Sequence, residues 1–152
     1  MNSFASPIQR LSAFIIDYSL IYLFLIILIN LMPEFRELTR QHHQNMNDMN
    51  LAKRILEYSN RIESYTFIIW IFLCSIMESS KIQGTLGKKI IKIKVINLNG
   101  DRISIKTSIV RNLLKFISSI FFFGFVLIAF TKKNQGLHDR LTETFVVNKI
   151  EK

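Results

Sequence analysis

The stretch Arg10–Met32, RLSAFIIDYSLIYLFLIILINLM, decides the fold of this 152-residue chain. Beyond Arg10, the only formally charged side chain in it is that of Asp17. About twenty apolar residues in a helix cover the roughly 30 Å hydrocarbon core of a bilayer, so the stretch predicts a membrane-spanning helix. Ser6 and Pro7 just before it are typical of a helix start, with Ser6 as the cap and Pro7 at the first helical position.

The two charged residues of this helix are candidates for function. Asp17 lies about a third of the way into the span, where a carboxylate is costly and therefore a functional candidate. Arg10 precedes it by seven residues, which places both on one helix face but about 10 Å apart along the axis. Because they cannot form a close pair, Asp17 requires another partner, water or a proton.

The composition also indicates a membrane protein. Hydrophobic residues make up 49% of the chain, and thirteen Phe together with many Ile and Leu fall in blocks. A net charge of +9 beside such blocks indicates anionic headgroups and basic cytoplasmic loops. No nucleic-acid-reading motif is present, so we expect no nucleic acid partner. Cys74 is the only cysteine, which excludes an intrachain disulfide, and we expect no metal and no cofactor.

Two further apolar blocks predict two further spans. The uncharged run Ser64–Met77 measures only about 21 Å as a helix, so we extend the second span to about residues 62–80. This brings Glu78 close to the apolar zone, where an interfacial role and a functional role both stay open. The third span, about residues 108–130, carries Arg111 and Lys115 on one face of its first turns.

Charge distribution predicts the topology. Residues 33–61 form a polar loop with balanced charges and are expected outside, whereas the strongly basic residues 81–107 are expected in the cytoplasm. Alternation over Ile90–Ile96, a turn at Asn99-Gly100 and renewed alternation over 102–105 predict a small cytoplasmic β-hairpin. The tail 131–152 is also basic, which conflicts with three complete crossings; a broken or re-entrant third segment turning at Gly124 removes the conflict.

Taken together, these pieces give the chain a resemblance to the RDD family of bacterial membrane proteins. The matching residues are Arg10 and Asp17 in RLSAFIID, Asp139 in QGLHDRLTETFVV, GTLGKKIIKIKVI followed by Asn-Gly, then Arg111-Asn112 and KKNQGLHD. The resemblance covers essentially the whole chain. It implies one membrane domain over residues 1–152 in the bacterial cytoplasmic membrane. It implies no assigned enzyme chemistry, and transport of some ligand or ion is suggested for the family without a settled mechanism.

We therefore expect an all-α multi-pass membrane protein with about three transmembrane helices and a small cytoplasmic β-hairpin. The expected site is a polar cluster of Arg10, Asp17, Asp139 and Arg111. Glu78 and His138 are secondary candidates. One hypothesis is movement of an ion or small ligand, with proton-coupled cation movement through Asp17. The alternative is a non-transporting accessory or assembly protein in which the cluster is purely structural.

The same residues limit the partners and the chemistry. No nucleophile setting or catalytic constellation is present, so we expect no enzyme. The expected partners are a bilayer with anionic headgroups and a second copy of the chain, because three short spans are few to enclose a pathway. The sequence does not specify a protein partner.

Overall fold

The computed structural model describes residues 3–120, 128, 131 and 133–149. Along this part of the chain the elements are, in order, α1 (Pro7–Leu31), α2 (Pro33–Gln44), α3 (Met49–Ser79), α4 (Leu86–Ile90), β1 (Ile93–Asn97), α5 (Ile105–Ile120), α6 (Leu137–Leu141) and β2 (Thr144–Asn148). They divide into two compact units, one of residues 1–18 with 71–152 and one of residues 19–70. The turn predicted at Gly124 lies outside the described residues.

Among the described helices, α1 and α3 are long and apolar enough to cross a membrane. The start of α1 is a capping box, in which the Gln9 amide donates to Ser6 Oγ at 3.2 Å and the Ser6 amide donates to Gln9 Oε1 at 2.9 Å. The predicted helix start at Ser6 and Pro7 is therefore confirmed. Large apolar side chains stand exposed along both helices, as expected where lipid replaces water as the solvent.

The third apolar block is described only in its first part. There it forms α5, sixteen residues that extend about 24 Å at 1.5 Å per residue. A helix of this length is shorter than the hydrocarbon core of a bilayer. The described structure thus contains two candidate spans, and a count of three is not confirmed.

The unit of residues 19–70 is helical through most of the predicted polar loop. Pro33 is the first residue of α2, where its fixed φ and missing amide hydrogen are tolerated. The rings of Phe35 and Tyr58 lie 5.9 Å apart between centroids, and the Tyr58 hydroxyl lies 3.6 Å from Met32 Sδ. The loop expected between the first two spans is therefore largely α2 and the first turns of α3.

The other unit contains a two-stranded antiparallel sheet, and its pairing differs from the predicted hairpin. β1 pairs with β2, with Ile93 opposite Asn148 and Asn97 opposite Thr144. The turn at Asn99-Gly100 is present, since the Gly100 amide donates to the Asn97 carbonyl at 3.1 Å and Gly100 has φ +88°. Residues 102–104 form no strand, so the predicted hairpin partner is wrong.

The segment preceding α1 joins the same sheet. Phe4 forms an antiparallel bridge with Val147, and the Ala5 amide donates to the Val146 carbonyl at 2.9 Å. Apolar side chains from this segment, from α1, from the strands and from the chain before α5 form the core: Ala5, Ala13, Ile93, Val95, Ile103 and Val146. Hydrogen-bonded strands lie on the same side of a bilayer. The number of membrane crossings between β1 and β2 must therefore be even, or zero.

Candidate functional site

Asp139 on α6 is the meeting point of the first helix and the tail. Its side chain is fully buried, and its Oδ2 accepts from Arg10 Nη1 at 2.5 Å. The same oxygen accepts from the Gly136 amide at 3.1 Å, which satisfies a free donor at the start of α6. Oδ1 accepts from Arg111 Nη2 at 2.6 Å and from Arg111 Nε at 3.1 Å. One carboxylate thus connects α1, α5 and α6.

Arg111 extends this connection to the end of α3. Its side chain is 1% exposed, and its Nη1 donates to Glu78 Oε2 at 2.8 Å. The guanidinium is therefore hydrogen-bonded along two edges, one to Asp139 and one to Glu78. The planar fork of an arginine suits such two-sided recognition of carboxylates, which a lysine cannot reproduce.

Glu78 receives two further cations. Lys115 Nζ donates to Glu78 Oε1 at 2.8 Å and to Asn112 Oδ1 at 2.7 Å, and Lys88 Nζ also donates to Glu78 Oε1. The Glu78 side chain is fully buried, whereas that of Lys115 is 29% exposed. Three cations thus converge on one buried carboxylate, and together they join α3, α4 and α5.

Asp17 has a different set of partners. Its Oδ2 accepts from Thr85 Oγ1 at 2.5 Å, and its Oδ1 accepts from the Gly87 amide at 2.7 Å. Thr85 precedes α4 and Gly87 lies in its first turn, where amides lack partners within the helix. Asp17 therefore acts as a cap for α4, and its negative charge suits the amino end of a helix.

A close backbone approach accompanies this cap. A Cβ atom built on Gly87 would lie 2.1 Å from the carbonyl oxygen of Ala13 and 3.0 Å from Cγ of Asp17. Only glycine fits at this position without a shift of α1 or α4. The residue type at position 87 thus sets how closely the short helix packs on the first span.

Burial and neighbouring charges determine the protonation states of Asp139 and His138. Burial alone would raise the pKa of Asp139, but the charges of Arg111 and Arg10 and the hydrogen bonds from Arg111 outweigh it and lower that pKa. Burial lowers the pKa of His138 to about 3, although Asp139 acts in the raising direction. At neutral pH the network therefore contains an ionised Asp139 beside a neutral His138.

Two side chains of the network contain buried nitrogen atoms with no hydrogen-bond partner among the described residues. These atoms are the Nε and Nη2 atoms of Arg10, which form one edge of its guanidinium, and Nδ1 of His138. Arg10 thus uses only Nη1, toward Asp139, in a side chain that is 7% exposed. The network as a whole contains four cationic side chains and three carboxylates: Arg10, Lys88, Arg111, Lys115, Asp17, Glu78 and Asp139.

The structure brings most of the expected cluster together. Arg10, Asp139 and Arg111 are in direct contact, Glu78 joins them through Arg111, and His138 Nε2 lies 3.4 Å from Asp139 Oδ1. Asp17, which was expected in the same cluster, instead accepts from a hydroxyl and a backbone amide.

Sequence reasoning missed three contributors to the site. Thr85 and Gly87 carry no charge, and Lys88 is one of several lysines in a basic segment, so no charge pairing indicated them as partners of Asp17 or Glu78. Lys115 was expected on one face of the third span with Arg111, without a stated partner, and its Nζ donates to Glu78. The Thr-Leu-Gly-Lys run at 85–88 was the available signal, because a helix start with free amides and a nearby lysine can both bind carboxylates. No group of three metal-binding side chains occurs in the described part of the chain.

Two apolar helices, joined to a small α/β unit by a buried ion-pair network, are typical of a helical membrane protein. The RDD family profile matches residues 4–143, and the chain belongs to the RDD family. It is 43% identical over 83 residues to a Bacillus subtilis (strain 168) protein described as uncharacterized protein YxaI. The aligned region covers 54% of each chain, so this chain spans about half the length of that relative. No solved structure matches.

Proposed function

We propose that this protein is a non-transporting accessory or assembly protein of the bacterial cytoplasmic membrane, with more than one membrane crossing. In this proposal the ion-pair network has a mechanical function, because it fixes the sheet and α4 to the ends of the two apolar helices. The basic surface around the sheet is then held rigidly at the membrane, where a protein partner binds it. No catalytic step is part of this proposal.

The engagement of Asp17 is the observation that carries the proposal. Both of its oxygens accept short hydrogen bonds from neutral groups of the same chain, at 2.5 and 2.7 Å. A carboxylate that binds and releases an ion during transport has to exchange these partners for the ion in every cycle. A carboxylate that caps a helix keeps its hydrogen-bond partners, and its function is to specify how the helix packs.

Asp17→Asn separates this function from the alternative, proton-coupled cation movement through Asp17. Asparagine keeps an acceptor for the Gly87 amide but loses the charge, so we expect a loss of about 1.5–3 kcal/mol in the free energy of unfolding. Wild-type protein in sealed liposomes is expected to give no cation-dependent proton flux above protein-free vesicles, measured with an internal pH dye. Thr85→Val, which removes the other donor, is expected to destabilise without creating flux.

Proton movement that depends on Asp17 would contradict this proposal. If wild-type protein moves protons against a cation gradient, and Asp17→Asn abolishes the movement while the melting temperature stays unchanged, the accessory function is wrong. A chemical cross-link and pull-down from native membranes provides the positive evidence. We expect one partner in stoichiometric amount, whose recovery falls when the exposed lysines of the sheet unit are replaced by glutamine.

A further inference from the structure

The charged and apolar faces of α5 are reversed relative to a helix of a water-soluble protein. Ser108, Arg111 and Asn112 are buried, whereas Val110 and Leu113 are 49% and 46% exposed. In water an amphipathic helix buries its apolar stripe and exposes its polar one. The reversal indicates that the outer face of α5 is solvated by lipid, which extends the lipid zone from the two apolar helices into the sheet unit.

A second apolar face belongs to α4. Leu86 and Ile90, four residues apart on one side of the helix, are 46% and 61% exposed. Lys89 on the same side is also exposed, while Gly87 and Lys88 turn inward to α1 and to Glu78. We name Leu86, Lys89 and Ile90 the α4 lipid face. It combines two apolar side chains with one cation, the composition of an interfacial helix.

The depth of α4 along the first span places this face in the bilayer. Gly87 packs against the backbone of Ala13 and bonds to Asp17, which are the third and seventh residues of the apolar run that begins at Leu11. The backbone of α4 therefore lies beside apolar helix, one to two turns beyond the start of that run. Exposed leucine and isoleucine side chains at this depth contact acyl chains, and a lysine beside them reaches up to the phosphates.

Charge complementarity identifies the lipid. The buried network has one cation more than it has carboxylates, and the exposed side chain of Lys89 on α4 adds to this excess. We infer that the α4 lipid face binds anionic phospholipid in the leaflet on the side of the sheet, with acyl chains on Leu86 and Ile90 and the phosphate on Lys89. One lysine near an anionic surface enriches such lipid about fivefold.

Tryptophan quenching tests the contact with acyl chains. Trp70 is the only native tryptophan, so single-tryptophan versions of the full chain start from Trp70→Phe and add Leu86→Trp or Ile90→Trp. In vesicles of lipid brominated in the upper acyl chain, both are expected to lose fluorescence at least about twofold. Asn99→Trp, in the exposed polar turn after β1, is the matched control and is expected to stay unquenched. Quenching at positions 86 and 90 no stronger than at 99 overturns the inference.

A second arm tests the preference for anionic lipid. Vesicles contain equal phosphatidylglycerol and phosphatidylcholine, with bromine on only one of the two. Leu86→Trp is expected to be quenched more when phosphatidylglycerol is brominated, and Lys89→Gln is expected to reduce this preference about fivefold. Lys53→Gln, an equally charged exposed change on α3, is expected to leave it intact. Equal quenching by the two brominated lipids, with Lys89 present, overturns the anionic assignment.

Discussion

Glu78 is the residue at which three cations meet, and it should be among the most sensitive positions in the chain. Replacing it with glutamine leaves Lys88, Arg111 and Lys115 facing a neutral group in a buried site. Breaking a buried ion pair on one side costs about 3–5 kcal/mol, because the remaining charge is uncompensated. We therefore expect Glu78→Gln to lower the free energy of unfolding by this amount, measured by thermal melting in detergent.

The control for this prediction lies on the same helix. Glu57 is exposed and its oxygen lies 3.9 Å from Lys53 Nζ, so the pair is solvent-screened. Such exposed pairs contribute about 0–1 kcal/mol. Glu57→Gln should therefore melt close to the wild type, and equal destabilisation by the two changes would contradict the importance given to the buried network.

His138 makes stability depend on pH in a defined direction. In the unfolded chain a histidine binds a proton below about pH 6.5, whereas folded His138 does so only near pH 3. The unfolded state thus binds more protons between these values, so stability falls as the pH falls through this window, by at most about 1.4 kcal/mol per unit. The groups that face it are Asp139, Arg111, Lys115 and Lys88.

Melting temperatures at pH 7.5, 6 and 5 test this prediction. Asp139 acts in the same direction but at lower pH, because its lowered pKa means that its contribution to stability is complete above the unfolded pKa and declines only in stronger acid. Of these two groups, His138 is therefore the one that contributes to the change in stability between pH 7 and 5. His138→Gln should flatten the pH profile, and His43→Gln on α2 should not. Identical profiles for wild type and His138→Gln would contradict the assignment.

The packing of α4 on α1 depends on Gly87. Gly87→Ala puts a methyl group 2.1 Å from the Ala13 carbonyl oxygen, so the helix must move outward and stretch its hydrogen bond to Asp17. We expect amide hydrogens of residues 85–91 to exchange faster while those of the sheet are less affected. Gly100→Ala has open space around the new methyl group, so its cost is limited to the strain of φ +88° and to the turn itself. Equal exchange at residues 85–91 in both variants would contradict this account.

The two apolar helices could be predicted from local pattern, whereas the sheet could not. Hydropathy predicts α1 and α3, and the Ser6-Pro7 start follows from capping chemistry. The turn at Asn99-Gly100 was also predicted, but a turn specifies only where a strand ends. The partner of β1 is chosen by packing, and Thr144–Asn148, rich in β-branched and aromatic residues, is as strand-like as the nearer residues 102–105. Strand pairing over such a distance has no local signal.

The site was predictable where charges pair with charges. Arg10 and Asp139 were expected in one polar cluster, and Arg10 Nη1 lies 2.5 Å from Asp139 Oδ2. Asp17 shows the limit, because its partners are a hydroxyl and an amide located 68 and 70 residues further along the chain. Any of dozens of such groups fits a carboxylate, so only the fold selects Thr85 and Gly87. The burial of Arg111 is explained by a lipid environment, because in lipid the charged face of a helix turns toward the protein interior.

For the whole molecule, the sheet restricts the membrane topology. The segment before α1, the segment after α3 and the tail after the third apolar block all contribute to one small unit. Their common side implies an even number of crossings between β1 and β2, which removes the conflict between the basic tail and the positive-inside rule. The basic residues of 81–107 and of the tail then predict that this side is the cytoplasm.

Cysteine labelling in intact cells tests this topology. Starting from Cys74→Ser, single cysteines are placed in the turn after β1 (Asn99→Cys), after β2 (Lys149→Cys) and between α2 and α3 (Asn45→Cys), all at exposed positions. A membrane-impermeant maleimide should label only position 45, because the charge-balanced segment 33–61 predicts an external loop. Positions 99 and 149 should react only after permeabilisation, and always together, because β1 and β2 are hydrogen-bonded neighbours. Labelling of 99 and 149 from opposite sides would contradict the sheet, whereas labelling of both from outside would reverse the orientation and leave the sheet intact.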